Sequence, residues 1–413
     1  MPVLPRVVAY PESAQVLRRQ VVASVLLTTR WAVLAVLPYQ LVKHFGAPDF
    51  YSIIATMATP AMMLLSVFWG GLYRRTATRR YVWVYWLIGV LPITGIALSY
   101  SPTAALGWLL VGSMASAGLV PISGDIMRAC YPPGVRGRVM SVLMFASIIA
   151  NGLAAYGVGK WLDFDSQAFR VYLPLAVVIQ FGGVALLASI GRLPLFLERE
   201  QSLAAGDRRA SLLRRFARMW SVLVEDRDFR RFEVFFMLYG AGWMICQALL
   251  PLLVYHRLDL AYDDFNESTQ VAFQATMLVA ILIAGRLVDR LGPVRLAALA
   301  FGWLALYPIA LMLAEGVWSL TIATVIYAMG MAPVNVIWTL GPITLARRAG
   351  DASRYLSVHG SMVGVRAIVF QPLGWLLYST TGSFVVPMTL AAALFAVGCM
   401  GMWGLDRSIR ARQ

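Results

Sequence analysis

Charge is what this sequence has least of. Only 13% of its 413 residues are Asp, Glu, Lys or Arg, about half the ~25% usual for a soluble domain. So few charges cannot cover a water-soluble body of this size. A soluble enzyme is excluded, and so is a disordered chain. Cysteine is also rare. Cys130, Cys246 and Cys399 lie in or beside apolar runs, and this odd, scattered set offers neither a disulfide framework nor metal-ligand spacing. Only Lys43 and Lys160 are lysines among 35 basic residues, a bias that nothing in the sequence explains. No phosphate-binding Walker loop, His-x-x-x-His zinc pair or nucleophile elbow is present, so no cofactor, metal or enzymatic role is expected. The N-terminus lacks a short apolar core with a small-residue cleavage site, so a retained cytosolic tail is expected rather than a signal peptide.

Apolar residues are abundant instead, at 60%, with a mean hydropathy of +0.71. A bilayer core of ~30 Å takes about 20 apolar residues in helical form. Twelve stretches meet that length: 20–43, 50–72, 81–100, 103–127, 139–160 and 170–190 in the first half, then 232–255, 265–286, 294–313, 317–345, 355–379 and 383–404. They are continuously apolar and do not alternate with period two, which excludes a membrane β-barrel. The expected fold class is an all-α polytopic membrane protein of twelve transmembrane helices.

The charges orient the helices. With both termini inside, the inner loops collect Arg74, Arg75, Arg79 and Arg80, then Arg128, Arg136 and Arg138, a dense run of arginines between 192 and 231, and later Arg286, Arg290, Arg295, Arg347, Arg348 and Arg354. The outer loops hold only Lys43, Lys160, Arg170 and Arg257. This asymmetry predicts cytoplasmic termini in a cell membrane, inner or plasma. It also accounts for the net charge of +15 without a nucleic-acid partner, which would need a folded basic face. The longest loop, 191–231, carries Leu212, Leu213, Phe216, Met219, Trp220 and Leu223 at helical spacing, opposite Arg214, Arg215 and Arg218. That pattern predicts an amphipathic helix on the inner surface that links a bundle at 1–190 to a second at 232–413.

The halves repeat. Gly70-x-Leu72-x-x-Arg75 with Arg80 matches Gly285-x-Leu287-x-x-Arg290 with Arg295 at an offset of 215. Arg138-x-x-Ser141-Val142 matches Arg354-x-x-Ser357-Val358 at 216, and Gly118-x-x-Pro121 echoes Gly330-x-x-Pro333. Two related six-helix halves are a mark of secondary transporters. The loop Gly285-Arg-Leu-Val-Asp289-Arg290-Leu-Gly292-Pro-Val-Arg295 resembles the G-x-L-x-D-R-x-G-x-x-R signature of the major facilitator superfamily. Tyr131-Pro-Pro-Gly-Val-Arg136-Gly-Arg138 is similar to that family's loop between helices 4 and 5. The resemblance implies two pseudo-symmetric six-helix bundles. It also implies a gating role for Gly285, Asp289 and Arg290. In the first-half copy Arg74 replaces the Asp and Ala77 the Gly, which departs from the pattern. Helix 5 has Gly152, Gly157 and Gly159 without the Pro of the family's antiporter signature.

Two arginines fall inside spans. Arg30 lies eleven residues after Arg19 and Arg366 twelve after Arg354, depths of roughly 16–18 Å at ~1.5 Å per residue. A mid-span Arg costs about 2.5–3.5 kcal/mol on insertion scales. It usually faces a cavity, where a guanidinium can hold a carboxylate or phosphate through two hydrogen bonds. Bonding to helix carbonyls is the alternative for each. Gln247 and Asn335 sit on helices that line the cavity in the resembled fold, and Trp31, Trp243 and Trp338 are candidate cavity aromatics. Asn151 and Gln371 are better suited to helix–helix hydrogen bonds. Asp125, three residues before Arg128, is expected to form a local ion pair or an inner-gate contact. Glu233 suits a helix N-terminus, and His359 can titrate near neutrality.

The expected function is a secondary transporter or facilitator that moves a small organic anion, or an acidic amphipathic solute, by alternating access. Its partners are that small molecule and the bilayer, and a monomer suffices. An exporter or flippase of lipophilic compounds is the alternative. A non-transporting receptor or assembly factor on the same scaffold is another, marked by both arginines being satisfied within the protein.

Overall fold

The computed structural model describes residues 11–73, 75–131, 136–192, 221–346 and 352–412. Among these, ten helices are long and apolar enough to cross a membrane, and two shorter apolar ones fill the second and fourth places. In chain order they are α1 (Ser13–Lys43), α2 (Asp49–Leu65, continued by Ser66–Tyr73), α3 (Thr78–Ala97), α4 (Pro102–Ser113, then Leu119–Cys130), α5 (Arg136–Phe164) and α6 (Phe169–Ile190). The second half follows as α7 (Arg227–Leu258), α8 (Tyr262–Leu291), α9 (Pro293–Met312), α10 (Val317–Leu345), α11 (Ala352–Thr381) and α12 (Val385–Arg410). Every expected span has its helix. In hydrocarbon a helix satisfies its own backbone, so continuously apolar segments of this length have no cheaper conformation.

Most of the expected amphipathic connector, and the side chains of Arg128, Arg138 and Arg354, lie outside the described residues. The expected N-terminus of helix 7 is corrected: α7 begins at Arg227, because the Asp226 carboxylate caps it by accepting from the backbone N–H groups of Asp228 (3.0 Å) and Phe229 (3.1 Å). Such a cap satisfies donors the helix leaves open. Glu233 is thus almost two turns inside the helix, not at its start.

Several helices are broken where sequence supplies the means. Pro38 opens the separate final segment of α1, Leu37–Lys43, and Pro60 lies just before the 3₁₀ turn Met62–Leu65 in α2. Proline removes a ladder donor and clashes with the preceding turn. The chain divides into two compact units at these breaks: Met1–Ala35 with Leu65–Leu212, and Val36–Leu64 with Leu213–Gln413. The segment 36–64 therefore packs with the second-half helices. The Tyr39 hydroxyl donates to the Leu260 carbonyl (2.5 Å), as does the Lys43 ammonium, and His256 pairs with Asp49 at 2.8 Å. A Cβ on Gly364 of α11 would come within 2.5 Å of Leu64 and 3.0 Å of the Ala61 carbonyl.

Small residues set the helix spacing, as expected where apolar lipid provides no hydrophobic drive between helices. The Gly118 and Gly330 echo has this cause. A Cβ at Gly118 of α4 would collide with Tyr85 of α3 (2.6 Å), and one at Gly330 of α10 with Leu304 of α9 (2.5 Å). In each half the fourth helix meets the third at this glycine. The third helices are also both interrupted, α3 by the π turn Trp86–Val90 and α9 at Ala305.

Candidate functional site

In the first unit Arg30 is 6% exposed and points at two helix breaks. Its Nη1 donates to the Gly89 carbonyl (2.7 Å) in the π turn of α3, and its Nη2 to the Gly112 carbonyl (2.9 Å) at the break in α4. These glycines bring α3 and α4 so close that a Cβ on Gly89 would lie 2.3 Å from that of Ala115. Irregular turns leave carbonyls without full ladder partners, and in a membrane a fork of charged donors can supply them. Arg30 thus bonds to helix carbonyls. Its neighbour Trp31 turns the other way and is 54% exposed.

Arg366 differs. It is 2% exposed on α11, and its Nη1 donates to the Phe236 carbonyl of α7 (3.1 Å) while its Nε is buried without a partner among the described residues. The guanidinium also lies over the Phe236 ring, 5.7 Å from its centroid, a cation–π contact. Gly240 makes the room: a Cβ there would be 2.2 Å from Nη1 and 2.3 Å from Cδ of Arg366. Gly240→Val is therefore expected to displace the arginine. An overpacking cost of about 1–3 kcal/mol should appear as a lower unfolding midpoint in detergent. Gly240→Ser at the same position should cost less.

Further predicted residues lie in the same unit. Trp338 of α10 is half-buried, with its ring 5.5 Å from that of His359. Trp243 of α7 donates its indole N–H to the Tyr327 hydroxyl (2.7 Å) and packs on the Ala61, Met244 and Ala367 cluster. Gln247 is half-buried one turn beyond Trp243. Asn335 is exposed on α10, as is Thr339 one turn on. The exposed apolar residues of α10, Trp318, Ile322, Met329, Leu340 and Ile343, follow one stripe at spacings of 4, 7, 11 and 3 read from their numbers. At ~100° per residue Asn335 falls off that stripe, whereas Thr339, four residues before Ile343, borders it. An amide such as that of Asn335 at membrane depth belongs against water or a polar partner rather than lipid.

The remaining predicted residues are dispersed. Gly285, Asp289 and Arg290 close α8. Gly292 follows at φ +77°, a conformation that favours glycine, and Pro293 starts α9. Asp289 and Arg290 are exposed. Asp125 is half-buried and engaged, while Arg128's side chain lies outside the described residues. Gln371 reaches across to Met244 (Nε2 to Sδ, 3.2 Å), but the Oδ1 of buried Asn151 has no partner. Three buried polar contacts escaped the sequence reading. Tyr355 donates to Asp226 (2.8 Å), His359 Nδ1 meets Glu233 Oε1 at 2.8 Å, and Tyr131 donates to Gln20 (2.6 Å). Their members stand more than a hundred positions apart, so no local spacing marks them.

These features define a polytopic α-helical membrane carrier scaffold with buried polar groups and no catalytic constellation among the described residues. The sequence profile of the Major Facilitator Superfamily matches residues 21–364, and the chain belongs to that superfamily. It is a transporter, not an enzyme. No match was found among curated proteins. Solved structures share the fold at low identity. A POT family transporter in complex with 5-aminolevulinic acid is 13% identical with a TM-score of 0.74, covering 97% of each chain. The human organic anion transporter MFSD10 (TETRAN) is 14% identical with a TM-score of 0.64, covering 95% of this chain and 100% of its own. The nucleoside transporter NupG is 13% identical with a TM-score of 0.68, covering 96% and 98%.

Proposed function

We propose that this transporter moves a small organic anion, or an acidic amphipathic solute, by alternating access, and that Arg366 holds the anionic group. The observation that carries the reading is the state of that guanidinium. It is buried at mid-span depth, is accommodated by Gly240, and has an Nε–H without an acceptor. An unpaired donor on a buried cation is costly, and a solute carboxylate or phosphate would complete it. Trp338, Trp243, Gln247 and Asn335 are the proposed companions, supplying aromatic surface and neutral hydrogen bonds. Arg30 already has two carbonyl partners, so the anion seat rests on Arg366. Asp289, Arg290 and Gly285 are proposed to act in gating, with both termini on the cytoplasmic side and each repeat forming one six-helix half.

The test is flux in proteoliposomes of purified protein, screened with radiolabelled monocarboxylates, organic phosphates and neutral lipophiles. Uptake of an anionic class over neutral lipophiles is expected. Transport of neutral lipophiles alone would replace this reading with the exporter one, and no flux of any class would favour a receptor.

A further inference from the structure

The second unit buries a titratable pair that anion binding does not use. Glu233 of α7 and His359 of α11 meet at 2.8 Å between Oε1 and Nδ1, with side chains 5% and 1% exposed. The other ring nitrogen, Nε2, is buried with no hydrogen-bond partner among the described residues. Aromatic rings enclose the imidazole: Phe236 at 4.5 Å, Trp338 at 5.5 Å and Phe232 at 6.0 Å between centroids. A histidine fixed merely for packing would usually have both nitrogens satisfied.

We infer that Glu233 and His359 form a proton-binding site whose proton is taken up at His359 Nε2. The chemistry follows from the hydrogen bond. With Glu233 ionised, Nδ1 must carry the hydrogen donated to Oε1, so Nε2 is a bare lone pair. Transfer from hydronium forms the Nε2–H bond, breaks one O–H bond and leaves water, giving an imidazolium that faces a carboxylate. Release restores the neutral ring. Trp338 of α10 packs near the ring, and Asn335, less than one turn before it, is exposed.

The surrounding charges set the balance. Arg366, two turns along α11 and sharing Phe236 with His359, is close enough to Glu233 for their charges to interact, and Tyr239 faces the same arginine. Toward the start of α7, Asp226 is bonded by Tyr355. Arg230 donates to the Leu223 carbonyl, Arg231 to the Ser408 hydroxyl, and Asp228 is held by Arg412. On the helices packed against the pair, Tyr327 of α10 is bonded to Trp243, Asp406 of α12 is held by Arg410, Arg295 of α9 lies over Trp403, and Cys399 of α12 is half-buried. Asp49 and Lys43 are engaged at the far end with His256 and the Leu260 carbonyl. With Arg366 charged, Glu233 ionised and His359 neutral, the local set is net neutral, and a bound proton adds one positive charge. Where the anion reading of Arg366 holds, a bound solute anion would offset that charge, so proton and anion would bind cooperatively.

Charge displacement on solid-supported membranes tests the site directly. Full-length protein in proteoliposomes is exposed to pH jumps with no solute present. The wild type should give a transient displacement with a definite pH midpoint. His359→Gln should lose it. Glu233→Gln should keep it but move the midpoint to lower pH, because the carboxylate facing the ring is gone. Asp226→Asn should leave it unchanged. Each variant must elute as a single species, with His359→Asn as a second choice if the Gln variant does not. A displacement equal to wild type in both His359 variants, or none in the wild type, overturns the proposal. Acetate is then added to separate the two readings. An upward shift of the midpoint supports coupling to an anion, whereas an unmoved midpoint with the displacement intact keeps the proton site and removes the anion link.

Discussion

Arg366→Ala is expected to abolish the response to anions: thermal stabilisation by the transported class should disappear and uptake should fall to background. The guanidinium is the buried cation with an unused donor, so its removal leaves a desolvated solute anion unpaired. Truncating one partner of a buried, hydrogen-bonded charge pair costs about 2–5 kcal/mol, or at least tenfold in affinity at ~1.4 kcal/mol per decade. Arg366→Lys should recover only part of the loss. Lysine keeps the charge but has no planar fork, and its shorter head cannot both reach the Phe236 carbonyl and present a second donor to the solute. Without solute the Arg366→Ala midpoint should fall somewhat, since truncation leaves a cavity and takes a cation away from buried Glu233, so the readout is the ligand-induced shift rather than the baseline. Full transport and unchanged anion stabilisation in Arg366→Ala would end the anion proposal.

Arg30→Ala should behave in the opposite way. Its two hydrogen bonds close carbonyls at the π turn of α3 and the break of α4, and no other described side chain donates to either carbonyl. Removing the arginine strips a charge-assisted hydrogen bond from each carbonyl, leaving that of Gly112 its backbone partner Ala115 at 3.3 Å, at about 1.5–3 kcal/mol per bond. The unfolding midpoint should drop sharply whether or not an anion is present. Arg30→Lys should be almost as damaging, because one ammonium does not span two carbonyls on different helices with the geometry of a guanidinium. Paired melting curves with and without solute separate the cases: Arg366 variants lose the ligand-induced shift, and Arg30 variants lose the baseline. A normal baseline with a lost shift in Arg30→Ala would move the anion seat to the first unit.

The contrast between these arginines shows where sequence reasoning stops. Both stand at similar depth between apolar runs, and from the chain alone they are equivalent. What distinguishes them is the backbone opposite. Arg30 faces two helix interruptions that present carbonyls to it, and Arg366 faces α7, which offers one carbonyl and the space above Gly240. Helix interruptions depend on packing of α3 against α4 as much as on local residues. The unbroken fourth span expected over 103–127 accordingly appears as two helices.

Glu233 teaches the same lesson. Beside a run of arginines at the beginning of an apolar stretch, it reads as an acid at a helix N-terminus. Asp226 takes that role, so Glu233 is carried into the membrane part of α7, where a charge needs a partner. The partner, His359, is 126 residues away. The allegiance of residues 36–64 was equally hidden. Pro38 and Pro60 mark breaks in the sequence, but not which helices the segment between them joins.

By itself the sequence determined that this chain spans a membrane about a dozen times, as helices, in two related halves of one transporter superfamily. Those features follow from apolar length, from period and from motifs, all of which are written consecutively along the chain. Only the tertiary structure decided which buried charge is satisfied, which is open, and which acid meets which histidine. In hydrocarbon a polar group's role depends on its nearest complementary group, and here that group stands on another helix.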